Sequence, residues 1–283
     1  MSSSNEVDLD PQEQAILREW RQLVEQHYVE DIQHLEGNPQ IIHGFEIEHA
    51  LIEKYPTLKV EFHENPTRTM KLGNRVMSEQ FEAAMVRMRP ILRVTRLAPN
   101  YLRRVNDLRM RDRNKVVSLD VRINDLSGSY GWVQLAVYEC MDCHELEHVE
   151  QRRARERKSP RHCDTCFGKW VERMSSEDED ALPFPPRPNF VMLTEHSNYQ
   201  DVQDISMSQV IYNDQQKIIH LSEKEDIIGT VSDDLVGDLE ASQFARINGI
   251  VRVQPIPNRT FSRDTRRVLA IDVLSVEPLH LEE

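Results

Sequence analysis

The chain has nine glycines in 283 residues and no G-x-x-x-x-G-K-[ST] run. A phosphate loop of that type needs its glycines, so this chain is not expected to hydrolyse ATP. Aromatic residues are only 6% of the sequence, which makes base stacking secondary to charge in any contact with nucleic acid. No apolar run approaches the length of a membrane-spanning helix, and no signal sequence opens the chain, so an intracellular, reducing compartment and no membrane partner are expected. Cysteine is scarce too: there are four, and all fall in two pairs.

Those pairs are Cys140-Met-Asp-Cys143 and Cys163-Asp-Thr-Cys166, with 19 residues between Cys143 and Cys163. A two-residue spacing lets both thiolates of a tight turn point at one metal. Two such knuckles at ribbon spacing predict one structural Zn²⁺ per chain, held by four thiolates in a closed tetrahedron. A disulfide pair would suit a small secreted domain, and a redox Cys-x-x-Cys needs only one knuckle. A zinc hydrolase needs an open metal position, which four cysteines fill. His144, His148 and His162 lie near in sequence but read as solvated polar residues.

Net charge is −13, which alone argues against a polyanionic partner. The charge is uneven, however. Acids gather at the N-terminus and at Glu177-Asp-Glu-Asp180, while arginines cluster from Arg93 to Arg173 and from Arg246 to Arg267. The segment Gln254 to Arg267 carries Arg259, Arg263, Arg266 and Arg267, and so many cations at one turn point to an anion. The inter-knuckle segment Glu150 to Arg161 reads equally as a solvated loop or as a basic patch that meets phosphate or a neighbouring subunit.

Asp10-Pro11 starts a helix, with apolar residues at helical spacing from Ile16 to Ile32 and Gly37-Asn-Pro39 as its end. A second amphipathic piece is expected from Phe45 to Lys54, a short strand over Leu58 to Phe62, and a third helix over Ser78 to Met88 that buries Phe81, Met85 and Met88. Ile91 to Leu97 reads as a strand and Pro99 to Leu108 as a short helix. Val116–Ile123 and Trp132–Tyr138 read as a hairpin that carries the first knuckle. Ser175 to Pro188, acidic and then proline-rich, reads as a linker. Strands resume at Phe190, Tyr199 to Met207, Gln216 to Leu221, Phe244 to Val253 and Val268 to Val276, with turn signals from Asp226 to Leu239. The expected fold is multidomain α+β. It has a helical domain over 1–95, an OB-type β-barrel over 96–136 and 175–283 with a basic hairpin, and an inserted four-cysteine zinc ribbon over 137–174.

Several strings carry a family pattern in order: Leu92-Arg-Val-Thr-Arg-Leu-Ala-Pro99, Leu102-Arg-Arg with Leu108-Arg, Lys115-Val-Val-Ser-Leu-Asp120, Val137-Tyr-Glu-Cys140, Tyr199-Gln-Asp-Val-Gln-Asp204 and Asp233-Asp-Leu-Val236 with Gly237-Asp238. The chain resembles the N-terminal half of the minichromosome maintenance (MCM) replicative helicases, most like the archaeal ones. The resemblance implies a DNA-binding, hexamer-forming N-terminal region of an ATP-dependent replicative helicase. Its partners would be single- and double-stranded DNA and further copies of itself, with zinc ribbons able to join rings head to head. ATP and Mg²⁺ would belong to a motor outside this chain, and an archaeal location would be cytoplasm or nucleoid. The hairpin maps onto Arg259, Arg263, Arg266 and Arg267 as DNA contacts, with Arg252, Arg246, Arg122 and Lys115 as further candidates on the barrel. A loop relaying to the motor would fall at Ser208, Gln209, Asn213 and Gln216. An arginine that the family uses for single-stranded DNA falls at Asp125 here. The alternative is a stand-alone single-stranded-DNA-binding protein with an OB barrel and zinc ribbon.

Overall fold

The computed structural model describes residues 10–35, 42–151, 157–175, 184–222, 227–256 and 265–281. It divides into two compact units, Met1–Ser129 with Gln203–Glu283, and Tyr130–Val202. Among the described residues no helix is long and apolar enough to cross a membrane.

The first unit opens with α1 (Pro11–His27), capped by Asp10, whose carboxylate accepts from the Gln12 amide at 3.3 Å. The short α2 (Val29–Gln33) follows. Strand β1 (Ile42–Glu48) then leads through α3 (His49–Ile52) and α4 (Pro56–Glu64) to α5 (Pro66–Ala83) and β2 (Arg89–Thr95). β1 and β2 pair in parallel from Ile42↔Arg89 to Glu48↔Thr95. Ile16, Trp20, Leu23, Phe62, Val76, Met77, Phe81 and Leu92 close a single apolar core. Trp20 keeps its indole N–H satisfied on the Thr69 carbonyl at 3.1 Å.

This part departs from expectation at four places. Phe45 stands in β1 rather than in a helix. Leu58 to Phe62 is helical: Leu58 and Phe62 share the buried face while Val60, between them, is 56% exposed. On a strand all three would share a face, so the alternation was one side of a helix started by Pro56. α5 begins at Pro66, twelve residues before the expected start, again with proline in the first turn. Met85 lies beyond the helix at positive φ and 89% exposed, so it is no part of the core.

Pro99 to Leu108 forms two 3₁₀ turns, Pro99–Tyr101 and Val105–Asp107, with the two-residue strand β3 (Leu102–Arg103) between them. β4 (Val116–Leu126) follows. The second unit then contributes β5 (Tyr130–Cys140), β6 (Leu146–Glu150), α6 (Asp164–Ser175) and β7 (Phe190–Met192). The chain continues through β8 (Asn198–Tyr212), β9 (Ile218–Leu221), β10 (Ile227–Ser232), β11 (Phe244–Pro255) and β12 (Arg267–Pro278). β4 and β5 do not pair as a hairpin; each pairs with β8, β5 along Asn198–Val202 and β4 along Ile205–Gln209.

In the first unit five strands close on themselves in the order β4-β11-β12-β10-β8 and back to β4. β4 is antiparallel to β11 and β8, β11 is antiparallel to β12, and β10 is parallel to β12. Counted along the chain this order is first, fourth, fifth, third, second, the five-stranded Greek-key barrel of an OB fold. Its interior is filled by Leu119, Val121, Ile123, Ile205, Met207, Val231, Ile247, Val251 and Ile271. The four-cysteine unit is spliced between the first and second barrel strands.

Candidate metal centre and nucleic-acid interface

β5 delivers Cys140 to the rim of the second unit, where the chain turns back through Cys143. The turn closes with His144 N–H donating to the Cys140 carbonyl at 2.8 Å, His144 at positive φ. The second knuckle starts α6, Cys163 just before the helix and Cys166 in its first turn, with Phe167 N–H on the Cys163 carbonyl at 2.8 Å. Helix α6 was not foreseen; its start is marked by Asp164, an acid at the positive end of the helix.

The four sulfurs lie within 4.8 Å of one another, and none is in a disulfide. Cys140 and Cys166 Sγ are 3.8 Å apart, Cys143 and Cys163 Sγ 3.4 Å apart. A Zn²⁺ about 2.3 Å from each sulfur of a tetrahedron would set them about 3.8 Å apart, so the cluster fits the ion. Its hydrogen bond to Cys143, then burial, holds the Cys166 thiol well above the usual thiol range. Four thiolates this close repel one another, and a dication removes that cost. His144, His148 and His162 stand outside the group: His144 pairs with Glu139 at 2.7 Å and His162 with Asp164 at 3.4 Å, both largely exposed. Arg152, Arg153 and Arg155 lie outside the described residues, while Arg157, Lys158 and Arg161 are exposed.

The candidate DNA contacts of the barrel sort into two groups. Arg246 is held by Asp120 at 2.7 and 3.0 Å and by the Tyr212 hydroxyl at 3.1 Å. The Asp120 hydrogen bond keeps its guanidinium firmly protonated. Arg252 pairs with Asp272 at 2.6 Å, and Arg122 donates to Ser242 Oγ at 3.0 Å. These three are fastened into the barrel wall. Lys115, Arg266 and Arg267 are exposed, the last two at the start of β12, where Pro255 faces Arg267 across the β11–β12 arm. Arg259 and Arg263, at the turn of that arm, lie outside the described residues. Asp125 is exposed at a bulge where β4 shifts register against β8.

Of the four residues expected in a relay loop, two stand in a strand. Ser208 and Gln209 are buried in β8, where Ser208 accepts from Asn124 at 2.6 Å and Gln209 accepts from the Val105 amide at 3.0 Å. Only Asn213 and Gln216 stand in the β8–β9 turn, which Asn213 Oδ1 closes by accepting from the Gln215 and Lys217 amides. The family resemblance alone placed Ser208 and Gln209 in a loop; both lie in β8.

Sequence reasoning passed over Arg93. It is 4% exposed and donates to Asp234 Oδ1 at 3.1 Å, to the Ser232 carbonyl at 2.7 Å and to the Leu274 carbonyl at 3.3 Å. It ties β2 to the Asp-Asp-Leu-Val turn of the barrel. A charged residue in an otherwise apolar strand was the available signal.

No family model matches the chain, and no curated protein matches it. Among solved structures it is similar to a 1.8 Å crystal structure of the N-terminal domain of an archaeal MCM, with a TM-score of 0.68 and 20% identity, over 94% of this chain and 99% of that one. The helices, the five-strand barrel and the spliced four-cysteine unit therefore make up the fold of an archaeal MCM N-terminal domain.

Proposed function

We propose that this chain is the DNA-binding and ring-assembling N-terminal region of an MCM-type replicative DNA helicase. The observation that carries the reading is the OB barrel interrupted after its first strand by a four-cysteine unit, in an arrangement that spans nearly all of an archaeal MCM N-terminal domain. Cys140, Cys143, Cys163 and Cys166 would hold one Zn²⁺, which when bound supplies structure and no open coordination position. The exposed cations at Lys115, Arg266 and Arg267, with Arg259 and Arg263, grip single- or double-stranded DNA through phosphate, without reading sequence. Arg246, Arg252 and Arg122 support that grip from within the wall. Copies of the chain assemble into a hexamer, whose four-cysteine units are able to join a second ring. ATP, Mg²⁺ and unwinding belong to a motor that this chain does not supply, and the β8–β9 turn at Asn213 and Gln216 relays to it.

The test is a titration of labelled single-stranded DNA against salt, with solution mass measured on the same sample. Affinity that falls steeply with salt, with a hexameric mass, supports the reading. A salt-independent response overturns it, and a monomer that still binds strands favours a stand-alone single-strand-binding protein.

A further inference from the structure

Residues 103–115 carry six cations, Arg103, Arg104, Arg109, Arg111, Arg113 and Lys115, against two acids, Asp107 and Asp112. All six cations are exposed. Asp112 is turned inward on the chain, accepting from the Arg109 amide at 2.8 Å. The side chains of Arg104, Arg111, Arg113 and Lys115 make no hydrogen bond or ion pair among the described residues. That is unlike Arg93, Arg246 and Arg252, each neutralised by an aspartate. A chain of net charge −13 has acids to spare, so a belt left this bare is set aside for an outside anion.

The belt has two landmarks. One end is bonded to β11 just before the basic arm: Asn114 N–H donates to the Val251 carbonyl at 2.8 Å and Val251 N–H to the Lys115 carbonyl at 2.9 Å, one residue from Arg252. The other end opens on a pocket of about 500 Å³ between β3 and the end of β8. Arg103 and Arg104 line it together with Asp107, Asp120 and Gln209, and Leu102, Val210, Ile211 and Tyr212 complete the lining. The Asp120 charge is already met by Arg246. β3 sits beside Ser118 and Leu119, so the pocket lies roughly 10–13 Å along β4 from Lys115. Two cations beside the apolar side chains of Leu102, Val210 and Ile211 suit a nucleotide, phosphate on the guanidiniums and base against the apolar surface.

We infer that the 103–115 belt is a second nucleic-acid track on the barrel, continuous with the β11–β12 arm, and that the pocket behind Arg103 and Arg104 takes one nucleotide of a single strand. The inference rests on the DNA-binding reading above.

The test is fluorescence anisotropy of a labelled oligo-dT on the whole chain across a salt series. It compares wild type, Arg103→Ala/Arg104→Ala, Arg103→Lys/Arg104→Lys and the arm variant Arg266→Ala/Arg267→Ala, with solution mass checked for each. The alanine pair should weaken binding about tenfold and flatten the slope of log K against log salt by about 1.4, two phosphate contacts at about 0.7 each. The lysine pair should recover the slope. Wild-type affinity and slope in the alanine pair, while the arm variant is weakened, would overturn the track and leave the DNA reading standing. No binding by wild type would overturn both. A fall in oligomer mass with an unchanged salt slope would assign the belt to a subunit contact, and free dTMP competing as well as oligo-dT would assign the pocket to a small metabolite; either overturns the track.

Discussion

His49 is 2% exposed, packed between the rings of Phe62 and Tyr101 at centroid distances of 5.6 and 4.9 Å. Burial is the main reason its pKa is lowered, with Lys59 adding to the shift and Glu53 opposing it. The folded chain therefore holds a proton on this ring less readily than the unfolded chain, which takes one up below about pH 6.5. Stability is fully present above that pH and falls as pH drops through it, with a slope approaching about 1.4 kcal/mol per unit. Urea midpoints over a pH series should show this loss, and His49→Gln should remove that part of it. The cysteines make a second prediction at this scale. Metal analysis should find one zinc per chain, and Cys143→Ser should bring it to background and loosen the Tyr130–Val202 unit to proteolysis. The cysteine cluster was legible because ligand spacing is local. The role of His49 was not, because the two rings around it come from α4 and from the Pro99–Tyr101 turn, both distant in sequence.

Elements are joined by contacts that sequence distance conceals. Arg93 and Asp234 are 141 residues apart, yet their ion pair, with Arg93 also on two carbonyls, fixes β2 to the barrel. Removing one partner of a buried pair leaves the other charge stranded. Arg93→Ala should therefore cost about 3–5 kcal/mol in denaturant unfolding, and Arg93→Lys should recover only part, since lysine lacks the planar fork. Gly44 belongs to the same joint: a Cβ there would run into the Asp234 carboxylate. In the barrel, Gly249 marks the bulge where β11 shifts against β12, and a Cβ would lie 2.7 Å from the Asp272 carbonyl oxygen. Gly249→Ala should destabilise by about 1–3 kcal/mol, read as a lower denaturant midpoint. The long strands β4, β5, β11 and β12 were readable from their β-branched alternation. α4 was not, since Leu58, Val60 and Phe62 alternate on paper while Val60 faces water. β10 was hidden among turn residues: Gly229 stands within it and two aspartates follow.

At the scale of the molecule, charge is distributed by role. Arginines that face carboxylates hold the barrel together, and exposed cations gather on the 103–115 belt and at the start of β12. Barrel closure, with its β10–β12 parallel pair, depends on pairings between distant strands, so the sequence could propose it and only the register could show it. The most direct measurement is native mass spectrometry of the zinc-loaded chain with a single-stranded oligonucleotide. The account predicts a hexamer bearing one zinc per subunit and one strand, which dissociates from the DNA as salt rises; a monomer that carries neither metal nor strand would contradict it.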